Sequence, residues 1–489
     1  MNPSIARSVP RSAAALLPLL LAVAVAPAQG PINLGDLVVV RVGDGSAALT
    51  SGSTAVFLDE FTPTGAAVQT LPLPTTASGS NNPFTNSGTA TSEGFLTLAG
   101  DGQSLVCAGY AMAPGTAAIA GTASTAVARA VARIALSGSI DTSTTLGTAF
   151  SAGNPRSVAT PDGVQFFVAG SNSGAQYVIL STATPVQLNS AVPTNLRVAN
   201  VFNGQLYVTS ATGSFQGVGT IGTGLPTTSG QTPTLLPGFP TATGPSNYDY
   251  YFANANTLYV ADDRTGAAGG GIQKWTFAAG TWSLQYTLAP TATSGCRGLT
   301  GSNLGGVVTL YATTTQTSAN QLVTVIDGGV GSPFVTLATA AANTVFRGVR
   351  RIARPGLATV AGVGSPSSGG VATIAATTPP VIGDPTFGVT ANNFPVFGVG
   401  ALVVSYFPLI PGVQIPGAQP GALAYVATLD QVLITFADGA GSALQTIPIP
   451  FDNALVGMVA GTQWVVLDGT LPFPLQFATS PGMQLTVGN

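Results

Sequence analysis

Short hydrophobic runs recur along the whole chain, separated by turns rich in glycine, serine, threonine and asparagine. The runs are continuous or alternate with period two, and strands of this length between frequent turns are typical of sandwiches, barrels and propellers. The sequence therefore predicts an all-β fold. The predicted strands are Leu37 to Val42, Val56 to Phe61, Val68 to Leu73, Leu105 to Ala108, Val131 to Leu136, Phe166 to Ala169, Tyr177 to Leu180, Leu206 to Thr209, Leu258 to Ala261, Ile272 to Phe277, Leu284 to Leu288, Val307 to Tyr311 and Gln321 to Ile326.

Helical signals are weak in this pattern. The alanine-rich stretch from Ala117 to Ala132 resembles a helix by composition, but it also contains glycine, serine and threonine. Because these residues favour turns and irregular backbone over helix interiors, we expect a loop that leads into a strand.

A degenerate repeat organises the strands, and a charged residue stands at one fixed point of it. The charged residue begins a strand-like phrase that ends in a turn, as in Arg156-Ser157-Val158 to Asp162-Gly163. Repeats of about 40 to 50 residues with four strands each are typical of propeller blades. Six such phrases predict a six-bladed β-propeller over residues 31–357. The six charged residues are Glu93, Arg156, Arg197, Asp249, Arg297 and Arg347.

The two ends of the repeat region complement each other. Leu37 to Gly45, Ala55 to Gly65 and Ala67 to Pro74 resemble strands two to four of a unit that lacks its inner strand, whereas Phe346 to Pro355 resembles an inner strand without partners. One blade built from both ends would leave no exposed sheet edge there, so we expect the N-terminal strands to close the propeller. A seven-bladed propeller, with Leu357 to Ala375 starting another blade, is the alternative.

The pattern changes from about Ala358 to the end of the chain. Two hydrophobic segments, Ala401 to Phe407 and Trp464 to Leu467, flank the Gly/Pro-rich stretch Pro408 to Gly421. About 130 residues without the charged phrase suit a β-sandwich. The sequence therefore predicts a small C-terminal β-sandwich over residues 358–489.

Several motifs carry a resemblance to known proteins. The C-terminal part resembles a β-module found on many large secreted bacterial proteins, and the N-terminal part resembles uncharacterised secreted propeller-like proteins in Leu37 to Gly45, Ala55 to Gly65 and Thr91 to Gly94. The resemblance implies a fold and export and carries no catalytic residue. Related modules have a cysteine where Ser365 stands, so a disulfide at that place is absent. The C-terminal motifs are Gly364-Ser365-Pro366, Pro380-Val381-Ile382-Gly383, Ile447-Pro448-Ile449-Pro450, Asn453 to Gly457, Gln463-Trp464 and Ser480 to Gly488.

The first 28 residues have the organisation of a secretory signal peptide. Arg7 and Arg11 precede an apolar stretch from Ala13 to Ala26, and the small-residue site Ala26-Pro27-Ala28 follows. No later run has the 18 uninterrupted apolar residues of a spanning helix. We therefore expect a secreted, cell-surface or periplasmic protein without a membrane span.

Composition removes several classes of function. Charged residues make up 6% of the chain, against about 25% in an average soluble protein. Lys274 is the one lysine in the sequence, and nucleic-acid binding needs clustered cations, so we expect no nucleic-acid partner. With no histidine, a Ser-His-Asp system, a histidine metal site and an imidazole pH switch are excluded. No cofactor motif is present.

The two cysteines and two pairs of neighbouring acids are further candidate sites. Cys107 and Cys296 fall in the first and fifth units, which are not neighbours in a ring of six, so we expect two buried thiols in preference to a disulfide. Asp59-Glu60 and Asp262-Asp263 could bind calcium, but adjacent strand residues point to opposite faces. Solvated strand ends and turns are therefore the preferred interpretation, and we predict no metal site.

The six charged residues are the predicted ligand-binding site. In a closed propeller they form a ring, with Glu93 between Arg347 and Arg156, and Asp249 between Arg197 and Arg297. Four arginines against two acids leave positive charge, and guanidinium groups suit carboxylates and phosphates. We therefore expect a non-catalytic exported scaffold that holds an unknown anionic ligand, or an extracellular protein or glycan partner, at its channel.

Two other functions remain open at this point. One is a structural surface or matrix protein in which the ring only stabilises the fold. The other is a polysaccharide-active enzyme in which Glu93 and Asp249 act as acid and base, which requires their carboxyl groups to lie within about 6.5 to 9.5 Å.

Overall fold

Strands and short turns make up almost all of the protein. The computed structural model describes residues 30–488, except 243, 305, 354–355, 383, 451, 453–454 and 473. The predicted signal peptide therefore lies outside the described residues. No helix in the described part of the chain is long and apolar enough to cross a membrane. The predicted all-β class is confirmed.

The strands of the first three quarters of the chain are numbered here in chain order. They are β1 Leu37–Val42, β2 Ser53–Phe61, β3 Ala67–Pro72, β4 Thr85–Ser87, β5 Leu96–Leu98, β6 Ser104–Tyr110, β7 Arg129–Ala135, β8 Ile140–Thr145, β9 Pro155–Ala159, β10 Gln165–Gly170, β11 Gln176–Ile179, β12 Val186–Gln187, β13 Ala199–Phe202, β14 Gln205–Thr212, β15 Phe215–Ile221, β16 Pro233–Leu235, β17 Asn247–Asn254, β18 Thr257–Asp262, β19 Gly271–Ala278, β20 Thr281–Leu288, β21 Cys296–Leu304, β22 Val307–Thr314, β23 Gln321–Ile326, β24 Val335–Thr339 and β25 Val345–Arg351. Every strand predicted from the sequence coincides with one of them.

These strands form successive antiparallel groups of four. Sheets 1 to 5 are β5–β8, β9–β12, β13–β16, β17–β20 and β21–β24, each with its strands paired in chain order. The short strand β4 pairs with both β2 and β6 and thereby links the N-terminal strands to sheet 1. The alanine-rich stretch is a loop with one turn of 3-10 helix, Ile119–Gly121, that leads into β7, as predicted.

A sixth group of four joins the two ends of this region. Strand β25 pairs with β1, which pairs with β2 and then β3. The predicted pairing of the last inner strand with the N-terminal segments is thus confirmed. Hereafter this group is sheet 6.

Hydrophobic clusters lie between successive sheets and explain why many strands are continuously apolar. In β10, Phe166 and Val168 pack toward sheet 1, whereas Phe167 and Ala169 pack toward sheet 3. A strand buried on both faces has no polar alternation. Comparable clusters lie between sheets 3, 4 and 5, between sheets 5 and 6, and between sheets 6 and 1.

A polar cluster fastens sheet 4 to sheet 5 away from the first strands. Asp327, just after β23, accepts hydrogen bonds from Lys274 Nζ at 2.8 Å, Tyr286 Oη at 2.7 Å and Tyr259 Oη at 2.5 Å. Its side chain is almost fully buried. The hydrogen bonds outweigh the burial and lower the pKa of Asp327 to about 2.

This cluster predicts a specific acid sensitivity. Because the pKa of Asp327 is lowered on folding, its stabilisation is complete above pH 4 and is lost as the pH falls toward 2. We expect the wild-type free energy of unfolding to fall by about 2 kcal/mol more over this range than that of Asp327→Asn. Denaturant titrations at pH 5, 3.5 and 2.5 measure this difference. Parallel pH profiles of the two proteins would contradict it.

The remaining strands belong to the C-terminal part of the chain. They are β26 Leu357–Ala361, β27 Pro366–Ser367, β28 Gly370–Val371, β29 Ala375–Ala376, β30 Gly388–Ala391, β31 Val399–Ser405, β32 Val413–Gln414, β33 Leu423–Ala424, β34 Gln431–Phe436, β35 Ala443–Thr446, β36 Val459–Leu467 and β37 Phe477–Thr486. Strand β26 pairs with β37, so it begins the C-terminal sheet and does not start a further unit of the repeat.

Two C-terminal sheets enclose one hydrophobic core. The larger has the strand order β26-β37-β36-β31-β34 and the smaller β29-β30-β35. Trp464 of the larger sheet is fully buried, packs edge to face on Phe394, and donates its indole N–H to the Thr390 carbonyl of the smaller sheet. Ser365, the position of the absent cysteine, exchanges hydrogen bonds with Thr479.

Candidate functional site

The six sequence-predicted site residues lie on, or just before, the first strand of each of the six sheets. Four are within strands: Arg156 in β9, Asp249 in β17, Arg297 in β21 and Arg347 in β25. Glu93 and Arg197 precede β5 and β13 by three and two residues. The first strands of sheets 5 and 6, 6 and 1, 1 and 2, and 2 and 3 contact each other, and β17 contacts β21. The repeat therefore places its charged residues on adjacent strands.

Hydroxyl groups fix the backbone at these positions. Ser157 Oγ donates to the Arg197 carbonyl at 3.0 Å, and Thr313 Oγ1 donates to the Arg347 carbonyl at 2.6 Å. Each bond joins one sheet to the next. The hydroxyls satisfy carbonyls that a ladder within one sheet does not reach, and so hold the charged positions in place.

Glycine after the charged residue allows neighbouring sheets to approach closely. The Gly348 N–H donates to the Gly94 carbonyl at 2.9 Å. A Cβ atom at Gly348 would lie 2.4 Å from the backbone nitrogen of Leu96. The repeated charged-residue-glycine pair in Glu93-Gly94, Arg297-Gly298 and Arg347-Gly348 is thus a packing requirement of the inner strands.

Tyr248 is the centre of the arginine cluster. The guanidinium carbon of Arg197 lies 4.1 Å from the centroid of its ring, and that of Arg297 lies 5.8 Å away. Phe95 packs against the same ring. An aromatic face attracts cations, so Tyr248 holds arginines from two different sheets near one point.

Glu93 is fully buried beside this cluster. Its carboxylate accepts hydrogen bonds from the Ser87 N–H at 2.7 Å, Tyr110 Oη at 2.7 Å and Asn154 Nδ2 at 2.5 Å. Burial raises the pKa of Glu93, while these hydrogen bonds and the charge of Arg347 oppose the rise. Asn154, two residues before Arg156, therefore takes the place that the sequence predicted for Arg156 itself.

Arg347 has one nitrogen without a partner. Its Nη2 donates to the carbonyls of Ser87 and Gly88, both at 3.0 Å, whereas its buried Nη1 has no hydrogen-bond partner among the described residues. Burial, and further the charge of Arg297, lower the pKa of Arg347 to about 10, against the opposing effect of Glu93. The side chain is still charged at neutral pH.

A small cavity adjoins Glu93, Arg297 and Arg347. The space open to the centre of a water molecule is about 10 Å³, which is room for about one water. The exposed residues Thr89, Gln316 and Thr317 form part of its wall, so the cavity lies next to solvent. A single atom or the end of a larger group fits inside.

Arg156 and Arg197 extend the cluster away from the cavity. Arg156 donates to Asn195 Oδ1 at 2.6 Å, and Arg197 donates to the Asn247 carbonyl at 2.6 Å. Burial, and further the charge of Arg197, lower the pKa of Arg156 to about 10. A bound anion would offset the repulsion between these neighbouring positive charges.

The prediction that Asp249 lies between Arg197 and Arg297 is wrong. Its carboxylate accepts hydrogen bonds from the backbone N–H groups of Leu299 and Tyr250 and pairs with Arg350 Nη2 at 3.4 Å. Tyr248 faces the arginines, and the next residue of a strand points to the other side. Arg297 instead pairs with Asp263, at 3.3 Å.

Arg350 was not predicted as a site residue. Besides Asp249 of sheet 4, its guanidinium reaches the carbonyls of Leu96 in sheet 1, at 2.7 Å, and Leu299 in sheet 5, at 3.3 Å. This side chain from sheet 6 therefore joins first strands of three other sheets. It lies three residues beyond Arg347 in β25 and fills the space between those strands.

Positive charge exceeds negative charge in the cluster. Two carboxylates, Glu93 and Asp263, act on the four arginines at positions 156, 197, 297 and 347, which leaves a formal excess of two positive charges. Burial makes such an excess costly unless it is compensated. An anion at the cavity would supply that compensation.

The other candidate residues have structural partners. Asp59 pairs with Arg41 and Asp262 with Arg264, both at 2.6 Å. Within the described ranges, no three His, Cys, Asp or Glu side chains are grouped so as to hold a metal ion. Cys107 and Cys296 are buried free thiols, as predicted, and burial raises the pKa of Cys107 to about 12.

Comparisons with known proteins assign no function to the site. No protein-family model matches the chain, and no curated protein matches its sequence. Three solved structures to which it is similar have low TM-scores. Hydrazine synthase of Kuenenia stuttgartiensis has a TM-score of 0.34 and 12% identity over 50% of this chain, which spans 66% of that one. The dihydro-heme d1 dehydrogenase NirN has a TM-score of 0.33 and 9% sequence identity; the match covers 96% of this chain and 78% of that one. AztD of Citrobacter koseri has a TM-score of 0.28 and 10% sequence identity; the match covers 93% of this chain and 98% of that one.

Several residues of the cluster gave little signal in the sequence. Tyr248 is a neutral residue outside the charged pattern, and it is buried. Arg350 and Arg351 follow Arg347 so closely that the repeat did not separate their roles. Asn154 and Tyr110, which hold Glu93, are neutral residues outside the charged pattern.

Proposed function

We propose that the six sheets are the six blades of a closed β-propeller that serves as an exported binding scaffold. Buried clusters lead from sheet 1 through sheet 6 and back to sheet 1, and sheet 6 takes strands from both ends of the region. Such a circle has no free edge at its ends. The C-terminal sheets would form a β-sandwich used for attachment or assembly.

The ligand-binding part of the proposal rests on one observation. The buried Nη1 of Arg347 has no partner, and Arg347 lines a water-sized cavity together with Arg297. Buried polar groups are normally hydrogen-bonded, and unpaired positive charge is more costly than a neutral donor. The ligand supplies the missing acceptor.

The chemistry of the site favours a carboxylate. Guanidinium groups donate well to planar carboxylates, and one oxygen of such a group would fill a cavity of about 10 Å³ while the rest of the ligand stays outside. A tetrahedral phosphate or sulfate that inserts one oxygen leaves three others crowded at the opening, whereas a planar carboxylate leaves one. The carboxylate belongs to a small acid or to an acidic side chain of a partner.

A carboxylate-based hydrolase is not favoured by the geometry. Asp249 is paired with Arg350, and Glu93 accepts hydrogen bonds from Ser87, Tyr110 and Asn154. Both carboxyl groups are fully buried and face different partners. We therefore retain binding as the proposed function.

Isothermal titration of the mature protein with acetate, glutarate, phosphate and sulfate at low ionic strength tests this function. We expect acetate and glutarate to bind more tightly than the tetrahedral anions. Arg297→Gln should weaken their binding at least 10-fold, because a charge-assisted hydrogen bond contributes about 1.5–3 kcal/mol. Low salt is needed since ions screen exposed charges.

The matched control is Arg41→Gln. Arg41 is also paired with an aspartate, Asp59, but the pair lies on β1 and β2 and involves no residue of the cluster, so this variant should bind like wild type. Equal weakening by both variants would indicate nonspecific charge effects. Absence of carboxylate binding to the wild type would remove the proposed function and leave the arginines a structural role.

A further inference from the structure

We propose that the outer face of the larger C-terminal sheet is a self-association surface that packs against the same face of a second copy of this chain. The inference rests on the proposed assembly role of the C-terminal part and does not depend on ligand binding at the arginine cluster. It begins from the two faces of strands β31, β34 and β36. One face carries Leu402, Leu433 and Trp464 into the core between the sheets.

Part of the opposite face is apolar and open to solvent, whereas Val403 and Gln463 on the same face are buried. On the edge strand β34, Val432, Ile434 and Phe436 are 52%, 68% and 69% exposed, and Leu467 of β36 is 54% exposed. These side chains keep their exposure with the rest of the described chain folded around them. A strand with one face in solvent normally alternates hydrophobic and polar residues. Hydrophobic residues on both faces of such a strand are therefore unusual.

The exposed side chains form one contiguous patch. In the register of the sheet, Phe436 is opposite Val399, and Ile434 is opposite Ala401, which is opposite Val465 on the far side. Residues that are opposite or two apart on one face of a sheet contact each other. We define the apolar patch as Val399, Val432, Ile434, Phe436, Val465 and Leu467.

The size of the patch suits an interface between copies. It exposes on the order of 500 Å² of apolar surface, at the upper part of the range for the largest patch of a monomer. Two copies in contact would bury about 1,000 Å², the lower limit for a specific interface.

The composition of the patch favours a second copy over a different partner. None of its six residues is charged, so two identical patches meet without like-charge repulsion. A two-fold contact uses the same surface on both copies and needs only self-complementarity. An acidic or basic partner would find no countercharge on this face.

Sedimentation equilibrium of the mature protein from 1 to 200 μM tests the inference. We expect a reversible monomer-dimer equilibrium for the wild type. Ile434→Glu should weaken dimerisation at least 30-fold with an unchanged melting temperature of the monomer, because Ile434 is largely solvent-exposed there. The matched control, Val335→Glu on the exposed edge strand β24 of sheet 5, should dimerise like wild type.

Three results would overturn the inference: a wild-type monomer at 200 μM, equal dimerisation of Ile434→Glu, or equal weakening by Val335→Glu. Binding of a monomeric wild type to lipid vesicles would assign the patch to another occupant and would also refute it. Acetate titration of Ile434→Glu distinguishes a failure of the self-association proposal from a failure of the proposed ligand binding. Wild-type acetate affinity in a monomeric variant would show that the two surfaces act independently.

Discussion

We expect that removal of residues 29 to 75 abolishes cooperative folding of the protein. This deletion takes away β1, β2 and β3, the three strands that complete sheet 6, and leaves β25 without its partner β1. It also removes buried residues from the two clusters that join sheet 6 to sheets 5 and 1. The loss therefore exposes several large side chains at once, each of which contributes about 1.5–3 kcal/mol when buried.

Calorimetry of the shortened protein measures this effect. Since domain stability is about 5–15 kcal/mol in total, we expect no cooperative heat-absorption peak from the repeat region. The protein starting at residue 29 is the control and should unfold cooperatively. A shortened protein that melts in one sharp transition within a few degrees of the control would show that the N-terminal strands are not needed for cooperative folding.

We expect replacement of Arg350 by methionine to destabilise the protein by about 3–5 kcal/mol, because it leaves a buried carboxylate without its countercharge. The carboxylate is that of Asp249, which is fully buried and whose pKa burial already raises. The change also leaves the carbonyls of Leu96 and Leu299 without their donor. Urea denaturation at pH 7 measures the loss.

Two further variants make this result specific. Val335→Met changes an exposed side chain on the edge strand β24 and should alter the free energy of unfolding by less than about 0.5 kcal/mol. The double variant Arg350→Met with Asp249→Asn should lose less free energy of unfolding than the two single variants lose together. The reason is that the asparagine leaves no uncompensated charge. Strict additivity would mean that the two side chains are not coupled.

The strand pattern of the fold could be predicted from the sequence because it depends on local hydrophobic runs and turns. The run Phe166 to Ala169 predicted a strand, and its burial on both faces follows from having sheets on each side. The pairing of β25 with β1 was predictable for the same reason, since each end lacked the strands that the other supplied.

The partners of the charged residues were harder to predict because they depend on side-chain direction. The repeat placed Asp249 in a ring, but its neighbour Tyr248 occupies the side that faces Arg197 and Arg297. A shift of one residue along a strand reverses the face. No count of charges in the sequence shows which of Arg347, Arg350 and Arg351 points to which side.

Neutral hydrogen-bonding residues account for the remaining differences between the predicted site and the site in the structure. Asn154 and Tyr110 hold Glu93, and Ser157 and Thr313 fix the backbone of neighbouring sheets. The chain is rich in such residues, so single ones do not stand out in its composition. Their roles follow only from the packing of one sheet against the next.

Anomalous diffraction from crystals of the mature protein soaked in sodium bromide tests the anion site most directly. Bromide is a monoatomic anion somewhat larger than a water molecule, and the cavity holds about one water and lies next to solvent, so bromide can enter at its opening. We predict a bromide peak within hydrogen-bonding reach of Arg347 Nη1 and beside Arg297, which decreases when acetate is added. A cavity without bromide, while peaks appear at other arginines, would contradict the proposal that this cluster binds an anion.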